Sequence, residues 1–257
     1  MTQDYKNIMF NKSNNVAEIV LNNPPVNIMT QAMMEEMILV LDDLIKDDDL
    51  HLLILKAEGK HFSAGADVAE HTKEKCPEMI PIFMKLFYQL NRITCPTIAV
   101  VQGSALGGGC ELATYCDIVI ASEKAKFGQP EIFVGAFAPV AVAIFPHLIG
   151  RNRTLELLLS GDIIPATEAE RIGLINKVFP EETFQVKTDK FISKIINKSS
   201  VVLKITKMAT DTGLYTPVDH ALKNAEKIYL HKLLDTEDAH EGIQAFLEKR
   251  SPVWKGK

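Results

Sequence analysis

The chain has 257 residues, 47% of them hydrophobic, enough to predict a globular protein of one large domain or a domain with an appendage. A formal net charge of −5 leaves no basic footprint, so nucleic acid is not expected as the main ligand. Four cysteines without a CxxC pair, and no apolar run long enough to span a bilayer, predict a reduced, cytoplasmic chain with no membrane partner.

In chain order, residues 16–21 read as a strand that Asn22-Asn23-Pro24-Pro25 ends. A helix follows with Thr30 as N-cap, because Met33, Met34, Met37, Ile38, Leu41, Leu44 and Ile45 recur at helical spacing as far as the acidic run 47–49. The methionines read as core packing rather than a binding groove. Leu52-Leu53-Ile54-Leu55 has the continuous apolarity of a strand buried on both faces. The loop 61–67 comes next, a run of small residues whose backbone stays accessible, or a compact turn capped by Asp67. His61 and His71 flank it as structural or surface residues. Ile80, Ile82, Phe83, Leu86, Phe87 and Leu90 form a helical pattern, and residues 97–101 read as another buried strand.

The stretch 103–131 organises the rest. The triple glycine 107–109 suits a turn where the backbone must approach something closely, and the helix predicted to start there would point free N–H groups outward. That is the outline of an oxyanion site. No Lys-Ser or Lys-Thr follows, so it is no P-loop, and the GxGxxG spacing of a dinucleotide fold is missing. Glu111 stands just after the glycines and Glu131 on a later loop beside Gly128-Gln129-Pro130; two convergent carboxylates suggest acid/base chemistry, while spacing alone also allows two solvated glutamates. Cys110 and Cys116 lack partners at metal spacing and read as small buried residues, so no metal is expected.

Beyond this stretch, residues 151–160 form an amphipathic helix, Thr167-x-x-Glu170 opens another, and residues 175–179 give a last short strand. From about residue 187 the pattern is helical, broken at Gly213 and Pro217. Strands alternating with helices, then helices alone, predict an α/β core over 1–186 and a helical subdomain over 187–257.

The segments HFSAGADV (61–68), VQGSALGGGCELATYCDIVIAS (101–122) and FGQPEI (127–132) resemble the signature of the enoyl-CoA hydratase/isomerase family, the crotonase superfamily. GRNRTLELLLSGDIIPATEAERIGLINKVFP and the tail EGIQAFLEKRSPVWKGK extend the resemblance over essentially the whole chain. It implies a crotonase-like spiral of ββα units assembling as a homotrimer or a dimer of trimers, although the sequence shows no clean repeat. It also implies an acyl-CoA thioester substrate with no separate cofactor, and an oxyanion hole made by the N–H groups of Ala66 and Gly108. Glu111 and Glu131 would be catalytic, the first holding the water and the second delivering a proton to carbon. Val26, Ala64 and Asp67 fall on the substrate-binding surface. Phe246 and Lys249 match the positions that approach the CoA nucleotide, often across a subunit boundary; without the family, Lys249-Arg250 is a helix C-terminus whose charge complements the dipole.

The chain departs from the family after the second glutamate. Straight-chain hydratases carry a glycine-rich segment there, and this chain has Phe137-Ala138-Pro139-Val140-Ala141, predicting a stiffer helix start and a more apolar wall at Phe137 and Pro139. That wall, with Pro24-Pro25-Val26-Asn27 upstream, resembles the cyclohexa-1,5-diene-1-carbonyl-CoA hydratases of anaerobic aromatic degradation; neutral drift in a buried helix is the alternative. The expected reaction is addition of water to a conjugated enoyl thioester, with a straight-chain 2-enoyl-CoA as the second substrate. A non-catalytic acyl-CoA-binding member, even one engaging RNA, is the third reading, and retention of both carboxylates argues against it.

Overall fold

The computed structural model describes residues 5–257. Strands β1 (Ile8–Ser13), β2 (Val16–Leu21) and β3 (Leu52–Ala57), with helix α1 (Gln31–Leu44) between the last two, open the chain. Helix α2 (Cys76–Leu90), β4 (Thr97–Val101), β5 (Ser104–Leu106), α3 (Gly108–Thr114), β6 (Ile118–Ser122) and β7 (Lys126–Gly128) follow. Then come α4 (Ala141–Ser160), β8 (Ile163–Pro165), α5 (Ala166–Arg171), β9 (Lys177–Phe179) and the helices α6 (Phe184–Ile196), α7 (Ser200–Gly213), α8 (Val218–Ile228) and α9 (Glu237–Glu248).

The larger sheet runs β1-β2-β3-β4-β6-β9, antiparallel only between its first two strands. Parallel strands are covered on both faces, which is why Leu52–Leu55 of β3 and Ile98–Val101 of β4 are apolar and buried. Leu53 and Leu55 face the main core with α1 and α2, whereas Leu52 and Ile54 face a second core closed by Ile192 of α6. The smaller sheet, β5-β7-β8, takes one short strand after each of β4 and β6. The chain thus twice passes from the large sheet to the small one and on into helical structure, giving the ββα rhythm that no sequence repeat betrays.

Local chemistry sets the boundaries. Thr30 caps α1 by accepting from the Met33 N–H at 3.3 Å, and the methionines of that helix are buried. Gly213 closes α7, and Pro217 precedes α8. Asn27, buried and at φ +53°, accepts from the Asn23 N–H at 2.9 Å and donates to the carbonyls of Glu58 and His61, both at 2.9 Å. Its own carbonyl accepts from Ser63 Oγ at 2.7 Å, so one asparagine fixes the loop 61–67 against the end of β2.

Candidate active site

Two loops meet over the start of α3. The Ser63 carbonyl accepts from the Leu106 N–H at 2.9 Å, and the Gly65 carbonyl accepts from the Met29 N–H at 2.9 Å. Gly65 itself sits at φ +102°, and a Cβ there would lie 2.9 Å from the Leu106 oxygen, so only glycine lets the loop come this close. A Cβ on Gly108 would lie 3.4 Å from the Ala66 nitrogen, and one on Gly65 would lie 3.4 Å from the Gly108 nitrogen, which sets the two amides side by side. The Gly108 N–H is the first of α3 and has no intrahelical acceptor. Together with the Ala66 N–H it is positioned to meet one anionic oxygen.

Glu111, in the first turn of α3, is only 1% exposed. Its Oε1 accepts from the N–H groups of Val140 and Ala141 at 2.7 and 2.8 Å, where α4 begins. Burial pushes its carboxyl up to about 8; the Ala141 N–H opposes that shift, the Glu131 charge adds to it, and the Val140 N–H opposes it. Burial outweighs two good donors because the whole side chain is dry.

Glu131 lies in the short 3-10 turn Pro130–Val134. Its Oε1 comes within 2.6 Å of where a Cβ on Gly107 would be, and Gly107 at φ +52° is again a position for glycine. The Gly128 carbonyl accepts from the Gly107 N–H at 2.9 Å and ties the two loops together. Burial raises the Glu131 carboxyl, against its own backbone N–H and the charge of His71. With its amide nitrogen turned inward, Gln129 donates to the Gly107 carbonyl at 3.2 Å and to both Glu131 oxygens at 3.3 Å. Both acids are therefore held on the same glycine turn, each biased toward keeping a proton.

The other predicted residues divide. Ala64 and Val26 meet directly, the Val26 carbonyl accepting from the Ala64 N–H at 2.9 Å. The Asp67 carboxylate is used locally, accepting from the Ala69 N–H at 2.9 Å, so its side chain acts as the turn cap that the plain reading of that loop expected. Pro139 is half-buried just before α4, but the Phe137 side chain is 68% exposed and packs as no wall within the single chain. What the segment supplies instead is backbone: the two N–H groups on Glu111. Phe246 is 83% exposed, and Lys249 ends α9 in the left-handed conformation; α9 packs on α7.

Sequence reasoning missed the Val140 and Ala141 donors, Gln129 and the Phe83 ring, which lies 3.0 Å from where a Cβ on Gly108 would be. Pro139 before a helix and the helical spacing of Phe83 were the available signals. His61 is structural, its Nδ1 accepting from the Ser104 N–H at 3.3 Å. His71 is structural as well, donating from Nδ1 to the Asp67 carbonyl at 2.8 Å, and its charge reaches Glu131.

Comparison with known proteins gives a consistent match. The family model described as enoyl-CoA hydratase/isomerase matches residues 11–257. The chain is 33% identical over 250 residues to the cyclohexa-1,5-dienecarbonyl-CoA hydratase of Thauera aromatica, covering 97% of this chain and 96% of that one. It is 35% identical over 255 residues to the crotonyl-CoA hydratase of Syntrophomonas wolfei, covering 96% of each. Among solved structures, the enoyl-CoA hydratase of Bacillus anthracis superposes with a TM-score of 0.92 at 30% identity, over 98% of this chain and 100% of that chain.

Proposed function

The chain belongs to the enoyl-CoA hydratase/isomerase family and is a hydro-lyase of the enoyl-CoA hydratase type; within that activity, we propose that Glu111 and Glu131 add water to a compact conjugated enoyl thioester. The observation that carries this reading is the buried Glu111 carboxyl and the half-buried Glu131 carboxyl brought to one glycine turn, next to two amides free to meet an oxyanion.

The chemistry follows from where charge develops. Water adding to the β-carbon turns the thioester carbonyl toward an enolate, whose oxygen the Ala66 and Gly108 N–H groups would stabilise; one such donor is typically worth ~3–4 kcal/mol. The water must lose a proton and the α-carbon must gain one. Two carboxyls that share one proton do both: the ionised member takes the water's proton while the other gives its own to carbon, and the pair ends with the same proton count. Burial raises both carboxyls, that of Glu111 to about 8, which supplies the protonated member near neutral pH. The Val140 and Ala141 donors fix one oxygen of Glu111 and leave the other for water or proton.

For the acyl group we propose cyclohexa-1,5-diene-1-carbonyl-CoA first, supported by the apolar, half-buried Pro139 and buried Ala138 and Val140, and by the likeness to the Thauera hydratase. Crotonyl-CoA is the second reading, favoured by the outward Phe137 and the likeness to the Syntrophomonas hydratase. Turnover of the two esters side by side tests this. Faster hydration of the diene supports the first reading, and faster hydration of crotonyl-CoA moves the substrate to the second. We also propose a homotrimer or dimer of trimers, supported by exposed Val218 and Leu222 on α8 and by Tyr229 and Leu230 beyond it; light scattering at working concentration tests this.

A further inference from the structure

Three helices run from the reacting centre to a separate cavity of about 690 Å³, and aromatic rings stand between the two. On α2 the Phe83 ring rests against Gly108, and Phe87 follows one turn later with its ring centroid 4.9 Å from that of Phe83. Tyr115, one turn beyond Glu111, is 5.1 Å from Phe87, edge to face. On α4, Ile144 lies one turn past the Val140 donor. The cavity opens past these residues, lined by Leu90, Asn91, Tyr115, Ile144, His147 and Leu148, with α7 as its outer side. Phe83 and Phe87 are buried at 3% and 2% exposure, so the row is packed shut.

We propose that Phe87, wedged between Phe83 and Tyr115, is a chain-length stop: it closes the acyl pocket and separates it from the cavity, which is latent room for a longer acyl chain. This rests on the hydratase reading of the Glu111 and Glu131 site. The direction of the acyl group follows from that site. With the carbonyl at Ala66 and Gly108, the β-carbon must lie near buried Glu111, so the chain points inward along the seam of α2, α3 and α4, not back toward the exposed loop at Ala64. Continuing one to two helical turns of ~5.4 Å each along that seam brings it to the aromatic row and then the cavity. Phe87 is the middle ring and touches both neighbours, so its removal takes away the contact that closes the row and lets Phe83 swing toward the cavity.

The test uses wild type, Phe87→Ala and Phe87→Leu, the second keeping more of the core should the alanine variant not fold. The readouts are kcat/KM for trans-2-enoyl-CoA esters from crotonyl to decenoyl, and calorimetric binding of butyryl-CoA and decanoyl-CoA. Wild type should favour the short esters, and both variants should raise the decenoyl-to-crotonyl ratio by about tenfold or more, because each apolar carbon placed in a fitting pocket discriminates on that scale. Ile144→Phe added to either variant refills the cavity mouth and should reverse the gain. The saturated esters read the same long-to-short ratio without chemistry. A wild type that binds these esters but hydrates none counts against the hydratase reading, and the binding ratio then decides the stop on its own. The stop is wrong if folded variants leave both ratios unchanged, or if wild type already takes decenoyl-CoA as well as crotonyl-CoA.

Discussion

Replacing Glu111 with Gln should stabilise the protein, and the gain should grow with pH. The amide keeps a carbonyl oxygen for the Val140 and Ala141 N–H groups and nearly the same volume, but removes the titration. The folded carboxyl sits at about 8 against 4.5 for an exposed one, so the folded chain holds its proton more tightly than the unfolded chain. Stability that is fully present below about 4.5 is therefore lost as pH rises toward about 8, beyond which the loss is complete. Each pH unit in that window is worth ~1.4 kcal/mol, which puts the wild-type penalty at about 3 kcal/mol near neutrality and about 5 kcal/mol at the plateau. Urea unfolding of both proteins, at one protein concentration and several pH values from about 5 to 9, gives the difference directly. Any fixed misfit of the amide shifts the whole curve and leaves its slope alone. A difference that stays flat with pH would mean that Glu111 is ionised in the fold and that its two N–H donors outweigh burial.

The same carboxyl predicts a bell-shaped kcat/KM profile with a basic limb near 8, where Glu111 loses its proton; residual turnover by Glu111→Gln should lack that limb. Gly107→Ala places a methyl 2.6 Å from Glu131 Oε1 at φ +52°, and should lower kcat by about 100-fold while far-UV circular dichroism stays native. Asp238, buried on α9, accepts from the Lys255 and Gly256 N–H groups at 2.7 and 2.9 Å. Asp238→Ala should cost about 2 kcal/mol and expose the last residues to limited proteolysis, whereas an unchanged cleavage rate would show that the Asp238 carboxylate does not hold the tail.

Periodicity and punctuation made much of this fold legible beforehand. The Thr30 cap, the methionine face of α1, the two-sided burial of β3 and the breaks at Gly213 and Pro217 all depend on near neighbours, which a sequence displays. The glycine turn before Glu111 was legible for the same reason. The donors to Glu111 were not, because Val140 and Ala141 contribute only main-chain N–H groups from 29 and 30 residues away, and any side chain there would serve. Phe137 misled in the opposite way: an apolar side chain beside the site reads as a wall, yet the turn that aims the next amides inward leaves that ring in solvent. The aromatic row was half visible, since Phe83 and Phe87 share a helix face, but its third ring comes from α3 and needed the fold.

Turnover of crotonyl-CoA and of the cyclic diene by wild type, Glu111→Gln, Glu131→Gln and the double variant tests the two-carboxyl account most directly. It predicts that each single change lowers kcat by about 100-fold or more on whichever ester wild type prefers, and that the double variant is little worse than the poorer single one, because the step needs one acid to take a proton while the other gives one. Either single variant retaining turnover within about twofold of wild type would contradict it.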